Sequence, residues 1–313
     1  MFSFAFFRLL VFSLTLFAAS LVLFVVLEVI PGDPAQLMLG MNASAETLAA
    51  LREQMGLNLP LLTRYISWVG GMLHGDFGIS YTYSVPVSEL LLGRLVVSLP
   101  LAVVSLILSV LIAIPLGVLS ARYRGKALDT SVMAGAQIGI SLPNFWLAMV
   151  LVYIFAITLR VLPSGGFPGW DAGLVPALKA LILPSIALAL PQAAILARVM
   201  RSSMVDVLHE DYIRTARAKG LSKRATLWRH GVRNALIPLL TIMGLQFSYL
   251  IAGTVIIENV FYLPGVGRLI FQAITQRDLI TVKSAVMVLV ACGICVAYVV
   301  DLAYAAIDPR LRR

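Results

Sequence analysis

Apolar residues in this chain come in long unbroken runs, not in alternation. Six runs stand out, at about Leu9–Ile30, Leu95–Leu119, Val132–Leu159, Leu178–Ala197, Ile237–Ile257 and Ser284–Ile307. Each approaches or exceeds the ~20 residues that carry a helix across a bilayer. Lipid offers the backbone no hydrogen-bond partners, so a spanning segment is a helix or a strand of a closed barrel. Barrel strands alternate over ~10 residues, and these runs do not. The pattern predicts an all-α polytopic membrane protein with six transmembrane helices. A buried soluble core can absorb one such run, not six.

The intervals carry their own signals. Pro31-Gly32-Asp33-Pro34 ends the first span and opens a segment reaching to about Arg94. Asn42 or Ser44 can cap a short helix through Met55, stopped by Gly56, with Leu48, Leu51 and Met55 on one face. Pro60 can open a second helix, Leu61 to Leu73, carrying Trp68. With a net charge of −2, residues 31–94 are expected to form a small helical cap on the outer membrane surface. The interval from Arg160 to Ala177 is rich in Gly and Pro and reads as loop. Glu258 through Gly267 punctuates sharply, and Leu269–Ile274 then predicts a short helix. The expected organisation is a tip and first span over 1–30, the cap over 31–94, and a core over 95–313 that includes a basic loop, 198–237.

That loop lies between the fourth and fifth runs. Leu208, Tyr212 and Ala216 recur at i, i+4 and i+8, with Val205 and Ile213 beside them, while Arg214, Arg217 and Lys219 lie off the stripe. The spacing predicts an amphipathic helix ending at Gly220, where a positive φ costs little. Ser222 can cap a second helix, Lys223 to Asn234, leading into the span at Pro238. So basic a segment stays in water. From pattern alone it is either a hairpin resting on lipid headgroups or a docking element for another protein.

Composition and charge orient the picture. Sixty per cent of residues are hydrophobic and 12% charged, with a mean hydropathy of +0.95, far from soluble averages. If the N-terminus is inside, sixteen of the 24 Lys and Arg residues fall on cytoplasmic pieces. The asymmetry predicts cytoplasmic N- and C-termini. It also accounts for the net charge of +9 through inner-leaflet lipid, without nucleic acid. Cys292 and Cys295 lie within an apolar run and read as small apolar fillers, not a metal or redox pair. Ala18-Ala19-Ser20 resembles a cleavage site, but the apolar stretch continues through Leu27, so the first span is expected to stay uncleaved.

The spans contain Glu28, Gln137, Asn144, Gln192, Gln246, Glu258 and Asp301. Glu28 and Glu258 near the outer ends, and Asp301 near the inner end, are expected to be hydrated at the interface. Gln137, Asn144 and Gln246 can line a translocation path or bond helix to helix. Pro115, Pro143, Pro184 and Pro191 can kink their helices, and Gly135-xxx-Gly139 permits close helix approach. Gly125-Lys126 lacks the preceding glycine of a phosphate loop, and the three His residues form no metalloprotease motif. No catalytic residue and no metal site is read, and the chain is expected not to be an enzyme.

Arg214-Thr215-Ala216-Arg217-Ala218-Lys219-Gly220-Leu221-Ser222, followed by Arg233-Asn234-Ala235-Leu236-Ile237-Pro238, resembles the cytoplasmic EAA loop of binding-protein-dependent ABC importer permeases. The resemblance is to the peptide/nickel (DppB/OppB-like) branch and covers nearly the whole chain. Pro31-Gly32-Asp33-Pro34, Ser141-Leu142-Pro143-Asn144-Phe145-Trp146, Phe261 through Gly267 and Asp308-Pro309-Arg310 occur in the matching order. Arg214 stands where the general motif has Glu, and the stretch from Gly220 to Pro238 is longer than in sugar permeases; both fit the peptide branch.

The resemblance implies a type I importer permease in a bacterial inner membrane. Its loop would be a coupling helix seated on a cytoplasmic ATPase, with Tyr212 and Ala216 buried in the groove. Arg214, Arg217 and Lys219 would reach acidic rims, with Ala218, Gly220, Leu221 and Ser222 forming the turn. Implied partners are a second homologous permease, two ABC ATPase subunits that bind ATP and Mg, an extracytoplasmic solute-binding protein and membrane lipid. No cofactor is implied in this chain. Di- and oligopeptides are the expected solutes, with nickel, glutathione and opine-like solutes also in the branch. The rival reading is a self-contained channel or secondary transporter. Those often show buried charged relays or inverted repeats, and neither is visible here.

Overall fold

The computed structural model describes residues 2–29, 33–39 and 44–307. Helix α1 (Phe2–Val29) is followed by three short helices, α2 (Pro34–Leu39), α3 (Ala45–Gln54) and α4 (Leu61–Leu73). The Ser44 hydroxyl caps α3 by accepting from the Thr47 amide at 3.2 Å. The expected break at Pro31-Gly32, the alternative cap Asn42 and the Asp308-Pro309-Arg310 end fall outside the described residues. Next come α5 (Val87–Arg122), α6 (Ala127–Ser141), α7 (Asn144–Leu151), α8 (Leu174–His209), α9 (Asp211–Ala218) and α10 (Lys223–Thr226). α10 runs through π-helical Leu227–Val232 into α11 (Arg233–Val260), and α12 (Val266–Thr275) and α13 (Leu279–Ile307) follow.

Among the described residues, five helices are long and apolar enough to cross a membrane, and α6 with α7 supplies a sixth span if the bent pair crosses once. The third apolar run is therefore not one rod. Its axis turns by 102° between Ser141 and Asn144. Pro143 is the cause. It has no amide hydrogen to donate, and its ring pushes the preceding residue out of the helical region. Leu142 accordingly sits at ψ 130° and Pro143 at ψ 135°. Beyond the bend, Val152–Thr158 widens into a π-helix. Pro115, Pro184 and Pro191 sit inside continuous helices.

α8 is the central helix. In its most apolar stretch 78% of the residues are buried within the chain, against 11% for α1. Leu181, Leu183 and Leu188 of α8 pack with Val97 and Leu101 of α5 and with Leu250 and Ile257 of α11. At 36 residues it is ~54 Å long, well beyond the ~30 Å of hydrocarbon it crosses. Nothing breaks it at Arg198 or Arg201, so it continues past its apolar run to His209. Gly139 of α6 faces Ala194 of α8, whereas Gly135 faces open space.

The short helices at the opposite end are keyed into the bundle, not laid on lipid alone. The hydroxyls of Tyr65 on α4 and Ser20 on α1 lie 2.8 Å apart. Trp68 stacks on Phe24 with ring centroids 6.1 Å apart, and the Lys283 ammonium stands 4.9 Å over the indole. Each aromatic pair is worth about 0.5–1.5 kcal/mol beyond its burial. Glu28 is half-buried and ion-paired with Arg64 of α4.

Candidate functional site

The basic loop is built on α9 and α10. Glu210 leaves the helical region at ψ 145° and turns the chain out of α8. The expected Leu208/Tyr212/Ala216 stripe is therefore split, with Leu208 on α8 and the other two on α9. α9 ends in a Schellman motif: the Leu221 amide donates to the Ala216 carbonyl at 3.3 Å and the Gly220 amide to Arg217 at 3.0 Å. Gly220 has φ +91°, the left-handed geometry that a Cβ penalises. The Ser222 hydroxyl then accepts from the Ala225 amide at 3.2 Å and caps α10. The second helix does not end at Asn234 as expected. It is the first part of one continuous helix from Lys223 to Val260.

The two faces of this loop differ. Ile213 and Ala216 are buried against the chain itself, while Tyr212 is 41% exposed. The expected apolar docking stripe thus divides: Ala216 packs inward and only Tyr212 stays available. Arg214, Arg217, Ala218, Lys219, Gly220, Ser222 and Arg224 are exposed, and Leu221 is half-buried. Partial burial and the nearby Glu210 carboxylate push the Tyr212 phenol above its ordinary pKa. Behind the strip, Leu227, Val232, Ala235 and Leu239 pack on Met200 and Met204 of α8. The loop therefore stands on a packed apolar footing.

Arg201 does not belong to the exposed strip. Its guanidinium turns inward and donates to both oxygens of Asp129 on α6, at 2.6 and 2.7 Å. The same carboxylate accepts from the Ser120 hydroxyl of α5 and from the Gly125 amide, the latter at 2.9 Å. Asp129 is 4% exposed. Sequence reading missed this group, because Asp129 sits before the third apolar run and its partner is 72 residues away.

The three expected path residues occupy three settings. Gln137 is exposed on α6, where its carbonyl accepts from Arg198 of α8 at 2.8 Å. Asn144 opens α7 at the bend, half-buried, with its amide beside Gly253 of α11. Gln246 is buried within α11.

At the far end of α11, Glu258 is fully buried, not hydrated as expected. Its carboxylate accepts from the Ser98 hydroxyl at 2.5 Å and from the Arg268 amide at 3.1 Å. Ser98 in turn accepts from the Val266 amide at 2.8 Å. These bonds satisfy free amides at the start of α12, where a negative charge is also favoured by the helix dipole. A Cβ on Gly267 would come within 2.9 Å of the Val255 nitrogen, so glycine is required there. Phe261, Leu263 and Val266, close by in sequence, are each fully buried. Asp278 caps α13 similarly, accepting from the hydroxyls of Ser80 and Thr281 at 2.5 and 2.8 Å. The side chain of Asp301 is outside the described residues. Cys292 and Cys295 are free thiols, and no cluster of potential metal ligands occurs among the described residues.

Residues 113–313 match the family model of the binding-protein-dependent transport system inner membrane component, and residues 1–102 match its N-terminal counterpart. The chain belongs to this family. The permease is 41% identical, over 93% of each chain, to a probable peptide ABC transporter permease protein of Sinorhizobium fredii. It is 40% identical, over 95% of each chain, to the glutathione transport system permease protein GsiC of Salmonella choleraesuis. Its fold is that of the inward-facing MetNI methionine ABC transporter, with a TM-score of 0.58 at 19% identity over 70% of this chain and 97% of that one. An amino acid ABC transporter matches with a TM-score of 0.51 at 15% identity, over 71% and 94%. The fold class is thus the type I importer permease expected above. The permease is a multi-pass transport subunit of an ABC importer in the inner membrane, not an enzyme. The channel and secondary-transporter readings fall with that membership.

Proposed function

We propose that this permease carries di- or oligopeptides inward. A solute-binding protein outside delivers them, and two cytoplasmic ATPases drive the cycle, one of them seated on the α9–α10 part of loop 198–237. A second, homologous permease completes the pore. The observation that carries the reading is the exposed strip Tyr212, Arg214, Arg217, Ala218, Lys219, Gly220 and Ser222. It presents charge and one aromatic ring on a rigid Schellman turn footed in the chain's own core. The names of the relatives, peptide and glutathione permeases, support the solute class.

In this reading the ATPases hold ATP and Mg, since this chain has no phosphate loop. Closure of the ATPase pair draws the loops together, and the bundle switches to face outward as a rigid-body rearrangement. The Lys and Arg asymmetry supports a cytoplasmic side for both termini and the loop and an outer side for the 31–94 cap. Of the path candidates, Asn144 at the bend of the third span is the one assigned to the route.

Two measurements test the reading. Reporter fusions after Arg124 and Arg224 should report cytoplasm, and fusions after Met55 and Gly169 the outside; one reversal breaks the topology. In liposomes, labelled tripeptide uptake should need the binding protein, the second permease and the ATPases together. Uptake by this chain alone, or without ATP, would overturn the assignment.

A further inference from the structure

α6 is held to the bundle in an unusual way. Of its 15 residues only Asp129 and Ala136 are buried. Its inward face is the stripe Asp129, Val132, Met133, Ala136, Gly139 and Ile140, small or half-buried except for Asp129 and Ala136. Two polar clamps tie this lightly packed face to α8 as well. Arg201 grips both oxygens of Asp129 at 2.6 and 2.7 Å. One turn further from the loop, Arg198 donates to Gln137 at 2.8 Å. Four donors converge on the Asp129 carboxylate, from α5, the α5–α6 turn and α8. A bidentate guanidinium–carboxylate pair fixes orientation as well as distance. On one side of the clamp, α8 continues to the basic loop only eight residues on, at His209. On the other, α6 leads to the 102° bend of the third span.

We infer that Asp129 is a positioning residue of the transport cycle: through Arg201 it makes α6, and with it the broken third span, follow the docking loop. The inference rests on the reading of the loop as the ATPase seat. A displacement of α9 moves the end of α8, the clamp moves α6, and the strain falls on the bend at Leu142–Pro143. Without the clamp the loop still seats and the ATPases still turn over, but α6 slips against α8 and the span does not respond.

The test uses the complete transporter in liposomes, with binding protein and labelled tripeptide. Asp129→Asn with Arg201→Gln removes both charges and so leaves no lone buried ion. Binding-protein-stimulated hydrolysis should stay near wild type while tripeptide moved per ATP falls about tenfold, an ordinary coupling effect. Arg201→Lys keeps the charge pair but loses the fork, and should lower the same ratio less. The inference is overturned if the double variant keeps the wild-type ratio, or if hydrolysis and uptake fall in proportion. Should the double variant not assemble, a wild-type ratio in Arg201→Lys overturns it equally, and a lowered ratio supports it. Gly220→Val separates the clamp from the seat. If that variant keeps its ATPase and its uptake, the loop is not the seat and the functional reading has failed. If it loses the ATPase while the double variant couples normally, only the clamp has failed.

Discussion

At the end of the bundle that holds α12, Glu258 and Asp278 are fully buried and accept hydrogen bonds from their own chain. At the opposite end, Arg214, Arg217, Lys219 and Arg224 stand exposed. Arg214 alone among them has an ionic partner within the described residues, Asp211, at a loose 3.4 Å. The difference separates two uses of charge. A buried carboxylate with its full set of local donors is tied to the fold, and removing it leaves those donors stranded. An exposed cation on a rigid turn contributes little to the fold and is free to contribute to association. The pair Asp129–Arg201 sits between these extremes, with Asp129 buried like the first, Arg201 half-buried, and both adjacent to the second.

The sharpest way to break the comparison is Gly267→Val. The new Cβ meets the Val255 backbone and the Glu258 carboxylate, neither of which can yield. The start of α12 must move, leaving the buried Glu258 without its donors, at about 1–3 kcal/mol for each bond lost. Abundance in the membrane should fall several-fold, and a detergent-solubilised sample should unfold at lower temperature. Ser98→Ala, which removes one hydroxyl from the same cluster, should cost about 1–3 kcal/mol. A Gly267→Val chain of normal abundance and uptake would show that the fold does not depend on the α12 cluster.

Gly220→Val comes next and should behave in the opposite way. Nothing lies within 4 Å of the added Cβ, so the cost is backbone strain alone, about 1–2 kcal/mol at φ +91°. That strain is confined to the turn. Abundance should stay near normal while ATPase co-purification weakens and uptake is lost. Gly220→Ala should do the same more weakly. Loss of abundance comparable to that of Gly267→Val would erase the distinction between the two ends.

The same contrast explains what the sequence made legible. Spans, the α4 helix at Leu61–Leu73, the Ser44 and Ser222 caps and the Gly220 turn depend on residues within a few positions of one another. Periodicity and capping rules therefore find them. The burial of Glu258 depends on Ser98, 160 residues away, and the clamp on Asp129 depends on Arg201. No local pattern announces either. The inward turn of Ala216 was missed for a related reason. α8 ends at Glu210 without a Gly or Pro to mark the break, so one expected stripe became two helices with different faces. Pro143 breaks its span while Pro184 and Pro191 do not, and the flanking residues do not say which prolines the bundle accommodates.

The smallest expected effect is also the most diagnostic of exposure. Arg217 is solvent-exposed and makes no ion pair among the described residues. Arg217→Glu should leave abundance unchanged, since exposed substitutions away from special features seldom disturb a fold. It should weaken ATPase binding by about two- to fivefold at low salt, because an attraction worth little per pair becomes a repulsion. Salt decides the cause. At ~1 M ionic strength the Debye length falls to about 3 Å, and the difference between variant and wild type should vanish. Glu258→Gln gives the matching measurement at the other end. Glu258 is fully buried and acts through hydrogen bonds to its own chain, which salt does not screen as it does exposed charges, so the variant's loss of stability should be the same at low and high salt. If the Arg217→Glu defect persists unchanged at high salt, the side chain acts by shape and not by field. The loop's charges would then be bound to one geometry, like those around Glu258.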